Sequence, residues 1–211
     1  GSGMATTRNK PATEPELVIT RVFAAPRELV WQAWTDPECL KHWWGPKGFT
    51  WVRSTLDLRP GGLFHYCLRS PGGLEMWGKF RYHEVAAPER LVFIVSFSDA
   101  QGGTTRHPGS ATWPLEVLNS LTLSEQKGRT TLTLTGLPHN ASEDERHTSR
   151  KGHLSMQQGF KGTLDQLAAA EAPGEEETAF KILEHLAANV GRGIARSPGK
   201  TPFDAVYRWV R

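Results

Sequence analysis

Cysteine is scarce in this chain. Its 211 residues include only Cys39 and Cys67, and their spacing suits neither a metal site nor a redox pair. Two such thiols read as reduced side chains of a cytoplasmic protein. Long apolar runs are also missing. None approaches the ~20 residues that a membrane-crossing helix needs, and no signal-peptide core is expected near the N-terminus. Charge of one sign is not concentrated anywhere large. The net charge is +3, with basic residues interleaved among acidic ones over most of the chain, which argues against nucleic acid as the main partner.

Several chemical signatures are missing as well. No G-x-G-x-x-G or phosphate-binding loop follows a strand, and no G-x-S-x-G elbow is present. Gly191-Arg192-Gly193 is an isolated fragment. His42, His65, His83, His107, His139, His147, His153 and His185 are scattered without an H-x-H or H-E-x-x-H pair, so no metal or other cofactor is expected. They read as solvated side chains, His65 and His83 on the outer face of their strands. Glu143-Asp144-Glu145 reads as charge at a helix start, not as a catalytic acid pair.

What the chain does have is aromatic residues and period-two patterning. Trp31, Trp34, Trp43, Trp44, Trp51 and Trp77 crowd its first part. From Thr50 to Phe97, four runs alternate apolar and polar residues, the mark of strands with one buried face. In the first run Val52, Leu56 and Leu58 share a face, with Trp51, Arg53, Thr55 and Asp57 opposite. The second buries Phe64, Tyr66 and Leu68. The third points Leu74, Met76, Phe80 and Tyr82 inward. Arg59-Pro60-Gly61-Gly62, Ser70-Pro71-Gly72-Gly73 and Ala87-Pro88-Glu89-Arg90 supply the turns of an antiparallel meander.

Around the meander, Gly1-Ser2-Gly3 before Met4 reads as a cloning scar, and residues 1–15 as a disordered lead-in. Leu17 to Phe23 is a strand. Pro26 opens a helix in which Leu29 pairs with Ala33 and Val30 with Trp34. Asp36-Pro37 caps a second short helix, closed by Gly45-Pro46. The loop from Ser98 to Thr112 is long enough to be a flexible lid or disordered. Two strands follow, joined at Gln126-Lys127-Gly128. Ser142 and Glu145 form a capping box for a helix running to about Glu171, with Met156, Phe160, Leu164 and Leu167 on one stripe. Residues 173–211 form a tail with one amphipathic helix and a basic end.

This order of elements resembles the α+β helix-grip fold of the START-like (SRPBCC) superfamily. In that fold a curved antiparallel sheet of about six or seven strands grips a long C-terminal helix, and two short helices lie between strands 1 and 2. The runs VWQAWTDPECLKHWWGPKGFT, DLRPGG, LRSPGG, WGKFRYHEV, PERLVF and GFKGTLDQLAA narrow the resemblance to the family of homologues of the activator of heat-shock-protein-90 ATPase. It covers roughly residues 16–172. Gly159-Phe160 stands where that family usually has Gly-Trp, and the tail after 173 has no counterpart in it.

The resemblance implies a hydrophobic cavity between sheet and long helix. The candidate lining is Trp34, Trp43, Phe64, Tyr66, Leu68, Met76, Phe80, Tyr82, Phe93, Ser96, Leu132, Met156 and Phe160. The hydroxyls of Tyr66, Tyr82 and Ser96 are its candidate polar groups. Taken singly, the inward aromatic residues read as ordinary packed core; as a set under a curved sheet they leave room that side chains need not fill, and the bracket of Trp34, Trp43 and Trp44 reads either as packing or as a pocket mouth. The expected partner is a small lipid-, polyketide- or aromatic-like molecule. A cochaperone-like module meeting a chaperone is the alternative, and a cyclase or hydrolase the third, disfavoured for want of an acid, base or nucleophile set. Oligomeric state is left open. The tail is read as a loosely docked helix followed by a disordered basic end, against a reading in which Phe203, Tyr207 and Trp209 dock on the domain. On the first reading, truncation after Ala172 leaves melting temperature and oligomeric state unchanged, checked by calorimetry and light scattering.

Overall fold

A computed structural model describes residues 17–169. The lead-in, the residues beyond 169 and everything expected of the tail lie outside the described residues. The chain begins with strand β1 (Leu17–Phe23) and passes through helices α1 (Arg27–Thr35) and α2 (Pro37–Trp43). It then lays down β2 (Thr50–Leu56), β3 (Leu63–Arg69), β4 (Glu75–Ala86) and β5 (Arg90–Ser98). The two-residue β6 (Thr104–Thr105), β7 (Glu116–Gln126), β8 (Arg129–His139) and helix α3 (Glu143–Ala168) complete it. The architecture is α+β, one open antiparallel sheet with a long helix across it, as the order of elements predicts.

The sheet order is β1-β8-β7-β5-β4-β3-β2, with β6 paired to β5 outside that path. Pairing is consecutive through the meander. The exception is β1, which pairs with β8 from Leu17 opposite Gly136 to Phe23 opposite Thr130. Strands 1 and 2 stay apart because both helices are spent between them. Asp36 ends α1 and caps α2 in one step: its backbone N–H reaches Gln32 O, and its side chain accepts from Glu38 N at 2.8 Å, with Pro37 at the first helical position. The buried side of α1, including Leu29, Val30, Ala33 and Trp34, faces β7 and β8; α2 meets β2 and α3.

One face assignment is corrected. Trp51 is not opposite the apolar side of its strand. A bulge between Trp51 and Arg53 inserts one residue against β3 and turns Trp51 inward, where it stacks on Phe64 (6.0 Å, 22°) and Tyr66 (6.1 Å, 27°). A one-residue offset exchanges the two faces of a strand. Leu74 is also displaced. It belongs to the turn before β4 and is 71% exposed.

Helix α3 is held near both ends. At its start the Ser142 hydroxyl accepts from Glu145 N (3.2 Å), and the Glu145 carboxylate accepts from Ser142 N (3.0 Å). The same carboxylate accepts from Arg106 Nη1 (2.8 Å) and Leu115 N (3.3 Å), and Thr148 donates to the Thr112 hydroxyl (2.8 Å). These bonds strap the segment between β6 and β7 to the helix. That segment is therefore a built loop, not a disordered one. The turn before β6 is also ordered: the Asp99 carboxylate accepts from Gln101 N and Gly103 N, and β6 pairs with the end of β5. Towards the helix C-terminus, Thr163 Oγ1 (3.1 Å) and Gln166 Nε2 (2.9 Å) both donate to Gly45 O, and Arg21 pairs with Asp165 at 2.6 Å. Leu164 and Leu167 enter the core there.

The strap carries a pH dependence. The Ser142 N–H and then the Arg106 guanidinium hold the Glu145 carboxyl down at about 2, against an ordinary value of 4.5. A depressed folded-state value means that the ionised form favours folding. The contribution is complete above pH 4.5 and disappears as pH falls towards 2. Glu145→Gln should cost about 1 kcal/mol at neutral pH, roughly 2–4 °C in melting temperature for a domain of this size. The gap between variant and wild type should narrow steadily below pH 4.5 in a series of thermal melts.

Candidate functional site: a cleft beneath the long helix

The stripe on α3 divides in two. Leu164 and Leu167 are buried, whereas Met156 and Phe160, further from the Gly45 anchor, are only half-buried. The strap holds the start of the helix and the Gly45 bonds hold its end, so the middle stands off the concave sheet. Neighbouring hollows that share lining residues open there. One of about 200 Å³ is lined by Trp34, Trp44, Phe93, Val117, Asn119 and Leu134, among others. A second, about 360 Å³, runs along Tyr66, Leu68, Met76, Phe97 and Gly159. Trp44, Met156 and Phe160 border both. The third, about 120 Å³, lies where Trp113, Pro114 and Leu115 cross the sheet over Gly78, Val95 and Ser96.

Glycines shape this lining. Tyr66 faces Gly78 across the β3–β4 pair, and a Cβ on Gly78 would stand 2.6 Å from the Tyr66 ring. Only glycine lets that ring lie flat on the sheet. On the opposite wall Trp113 lies against Gly152 of α3, where a Cβ would stand 3.0 Å from the indole. The strap thus seats an aromatic ring at the end of the cleft. His107 supports it, with its ring 4.9 Å from Phe97 and 6.1 Å from Trp113. Gly159 has open space where its Cβ would be.

The candidate lining residues separate into two layers. Trp34, Tyr66, Leu68, Met76, Phe93, Ser96, Met156 and Phe160 border the hollows. Trp43, Phe64, Phe80, Tyr82 and Leu132 lie in the close-packed layer below, each at most 1% exposed. Phe80 stacks on Phe93 (4.4 Å, 18°) and meets Phe64 edge-on (5.1 Å, 83°). In the bracket, Trp43 is packing: its indole N–H donates to Ala33 O at 2.9 Å. Trp34 and Trp44 border the space instead.

The candidate lining left out Val95, Phe97, Trp113, Val117, Asn119, Leu134 and Gly159, and Trp44 entered only through the pocket-mouth reading of the tryptophan bracket. For Val95 and Phe97 a signal existed, since they continue the alternation from Phe93 along β5. For Trp113 there was none, because its place depends on a loop folding back 39 residues to Gly152.

The polar groups are few and mostly silent. Burial pushes the Tyr66 hydroxyl up to about 12; the nearby Trp44 indole N–H opposes that shift, yet has no partner in hydrogen-bonding geometry. Burial also raises Tyr82, whose hydroxyl has no partner among the described residues. The Ser96 hydroxyl is likewise buried and unpartnered. Burial first, then Asp36 and Glu38, raises Cys39, and burial raises Cys67, so neither is a thiolate at neutral pH. On the convex face His65 stacks on Trp77 (4.8 Å), with Nε2 3.0 Å from Ser98 Oγ and from Asp99 O, as its outward position predicts. These contacts tie down the start of the loop and lie away from the cleft.

Known structures share this arrangement. A crystal structure of a Mycobacterium smegmatis protein is 28% identical, covers 75% of this chain and 91% of its own, and superposes with a TM-score of 0.60. A solution structure of an Arthrobacter aurescens protein is 25% identical over 77% of this chain and 90% of its own, with a TM-score of 0.61. The AHSA1 protein of Silicibacter pomeroyi, 20% identical over 74% of this chain and 96% of its own with a TM-score of 0.57, shares the fold. Comparison with curated proteins returns no match. The family described as Activator of Hsp90 ATPase homolog 1-like protein matches residues 24–171, which takes in both short helices, the meander, the strap and all of α3. The chain belongs to that family.

Proposed function

We propose that the protein binds a small hydrophobic molecule, lipid-, polyketide- or aromatic-like, in the cleft under α3. One observation carries this reading. Space lined by Trp34, Trp44, Met156 and Phe160 is left unfilled, while Phe64, Phe80 and Leu132 elsewhere on the same concave face are at most 1% exposed. Protein interiors close such space when nothing else occupies it. A concave, mostly apolar lining with a few polar groups is what small-molecule sites offer. The 360 Å³ hollow is within the range of such sites.

The alternative is a cochaperone-like module working through its outer surface, which the family's description invites. A response to hydrophobic small molecules discriminates the two, because a ligand that binds only the folded state raises its stability. Enzymatic readings gain no support from the thiols, which burial keeps protonated. The two reduced cysteines fit a cytoplasmic setting, which belongs to the same proposal. Among the described residues no helix is long and apolar enough to cross a membrane.

Two substitutions test the cleft. Phe160→Ala should cost less than the ~3–5 kcal/mol of a buried Phe in solid core, because this ring borders open space. Val117→Phe adds a ring into the hollows beside Val95 and Trp113. In solid core such overpacking costs roughly 1–3 kcal/mol. Here the variant should melt no lower than wild type and lose any shift that apolar aromatic compounds produce in thermal melts. A clear destabilisation by Val117→Phe, with no wild-type response to aromatic or fatty-acid panels, would sink the proposal.

A further inference from the structure

The wall of the 200 Å³ hollow contains one group out of keeping with its neighbours. On β7, Val117, Asn119, Leu121 and Leu123 share the concave face, and Leu121 and Leu123 are buried core. Asn119, 5% exposed, puts a carboxamide into this apolar stripe. Its Nδ2 donates to Val117 O at 3.2 Å. Its Oδ1 accepts no hydrogen bond from any described residue. The carboxamide lies over Gly136, its partner on β8, where a Cβ would stand 3.2 Å from Oδ1. The missing side chain at Gly136 thus makes room for the amide, and Asn119 forms part of the wall of the hollow. A side-chain amide oxygen on the wall of an apolar hollow, without a donor among the described residues, is free to accept a hydrogen bond from whatever occupies that hollow. The Trp34 indole N–H on the same wall is buried without an acceptor among the described residues.

We infer that the cleft selects an apolar ligand carrying a hydroxyl group, and that Asn119 Oδ1 accepts the hydrogen bond from that hydroxyl. The inference rests on the ligand-binding reading above and gives it a chemical class: a hydroxylated aromatic or alicyclic molecule. The hydroxyl is held at the β7–β8 wall. The apolar body extends past Trp44, Met156 and Phe160 into the larger hollow beside Gly159. Recognition of this kind opposes simple partition. A bare hydrocarbon avoids water more strongly than its hydroxylated analogue, so a purely apolar cleft prefers the hydrocarbon, whereas a site that pairs the hydroxyl prefers the alcohol.

The test uses three probes of one shape: 2-naphthol, naphthalene and 2-methoxynaphthalene, with dissociation constants from calorimetry on the full chain. The expected result is 2-naphthol binding about ten-fold more tightly than either of the others, the size of one hydrogen bond to a buried group. The methoxy compound keeps the oxygen and lacks the donor, so it separates donation to Oδ1 from simple polarity. In Asn119→Leu the ratio of naphthalene to 2-naphthol constants should fall to one or below. Gly136→Ala, which crowds Oδ1 without removing it, should lower the ratio in the same direction, and it serves if the leucine variant does not fold. Equal binding of all three probes to wild type, or a preference that survives both substitutions, overturns the role of Asn119. Failure of every probe to bind wild type overturns the cleft as a ligand site, and this inference with it.

Discussion

The structure depends on how α3 is fastened. One backbone acceptor and one carboxylate do most of this work. Gly45 O takes hydrogen bonds from Thr163 and Gln166 near the helix C-terminus, and Glu145 gathers Ser142, Arg106 and Leu115 at its N-terminus. A helix of 26 residues fixed at both ends acts as a beam. A twisted antiparallel sheet is concave beneath it. The beam cannot follow the curve, so the two separate in the middle. Leu164 and Leu167 close one end, Trp113 lies at the other, and Met156 and Phe160 border the gap between them.

Side chains that would otherwise collapse into the gap are propped from below. Phe64 and Phe80 are locked by edge-on contact with each other, and Phe80 stacks on Phe93 at the wall of the hollow. Trp51 and Tyr66 lie nearly parallel on their flank. Glycine supplies the clearance at each critical approach: Gly78 under Tyr66, Gly136 under Asn119, and Gly152 against Trp113. In each case a missing side chain on one element lets a larger one from another lie flat. The lining is therefore shaped as much by where the chain omits atoms as by where it places them.

Much of this was legible in the residue order. Turn chemistry announced the meander: Gly61 and Gly73 adopt the positive φ that their turns require, and Lys127-Gly128 makes the hairpin between β7 and β8 with φ of 54° and 73°. The capping box at Ser142 and the shared cap at Asp36 appear where the spacing put them. The inward assignments of Phe64, Tyr66, Phe80 and Tyr82 hold. The reversal at Trp51 was hidden, because a bulge is a mismatch between two strands and neither strand's own alternation reveals it.

Local physics thus determined the elements, their ends and their buried faces. Caps, turns and alternation act over a few residues, and their signals lie within that distance along the chain. Tertiary structure alone decided that β1 closes against β8, and that the segment after β6 folds back onto α3. It also decided which inward aromatic residues are core and which are wall. Phe80 and Phe160 look alike in sequence, yet one is packed against the rings of Trp44, Phe64, Tyr66, Tyr82 and Phe93 and the other borders open space. The difference is the height of the helix above the sheet at each point. That height is set by hydrogen bonds between residues more than a hundred positions apart, such as Gly45 and Thr163, and no window of sequence contains both partners.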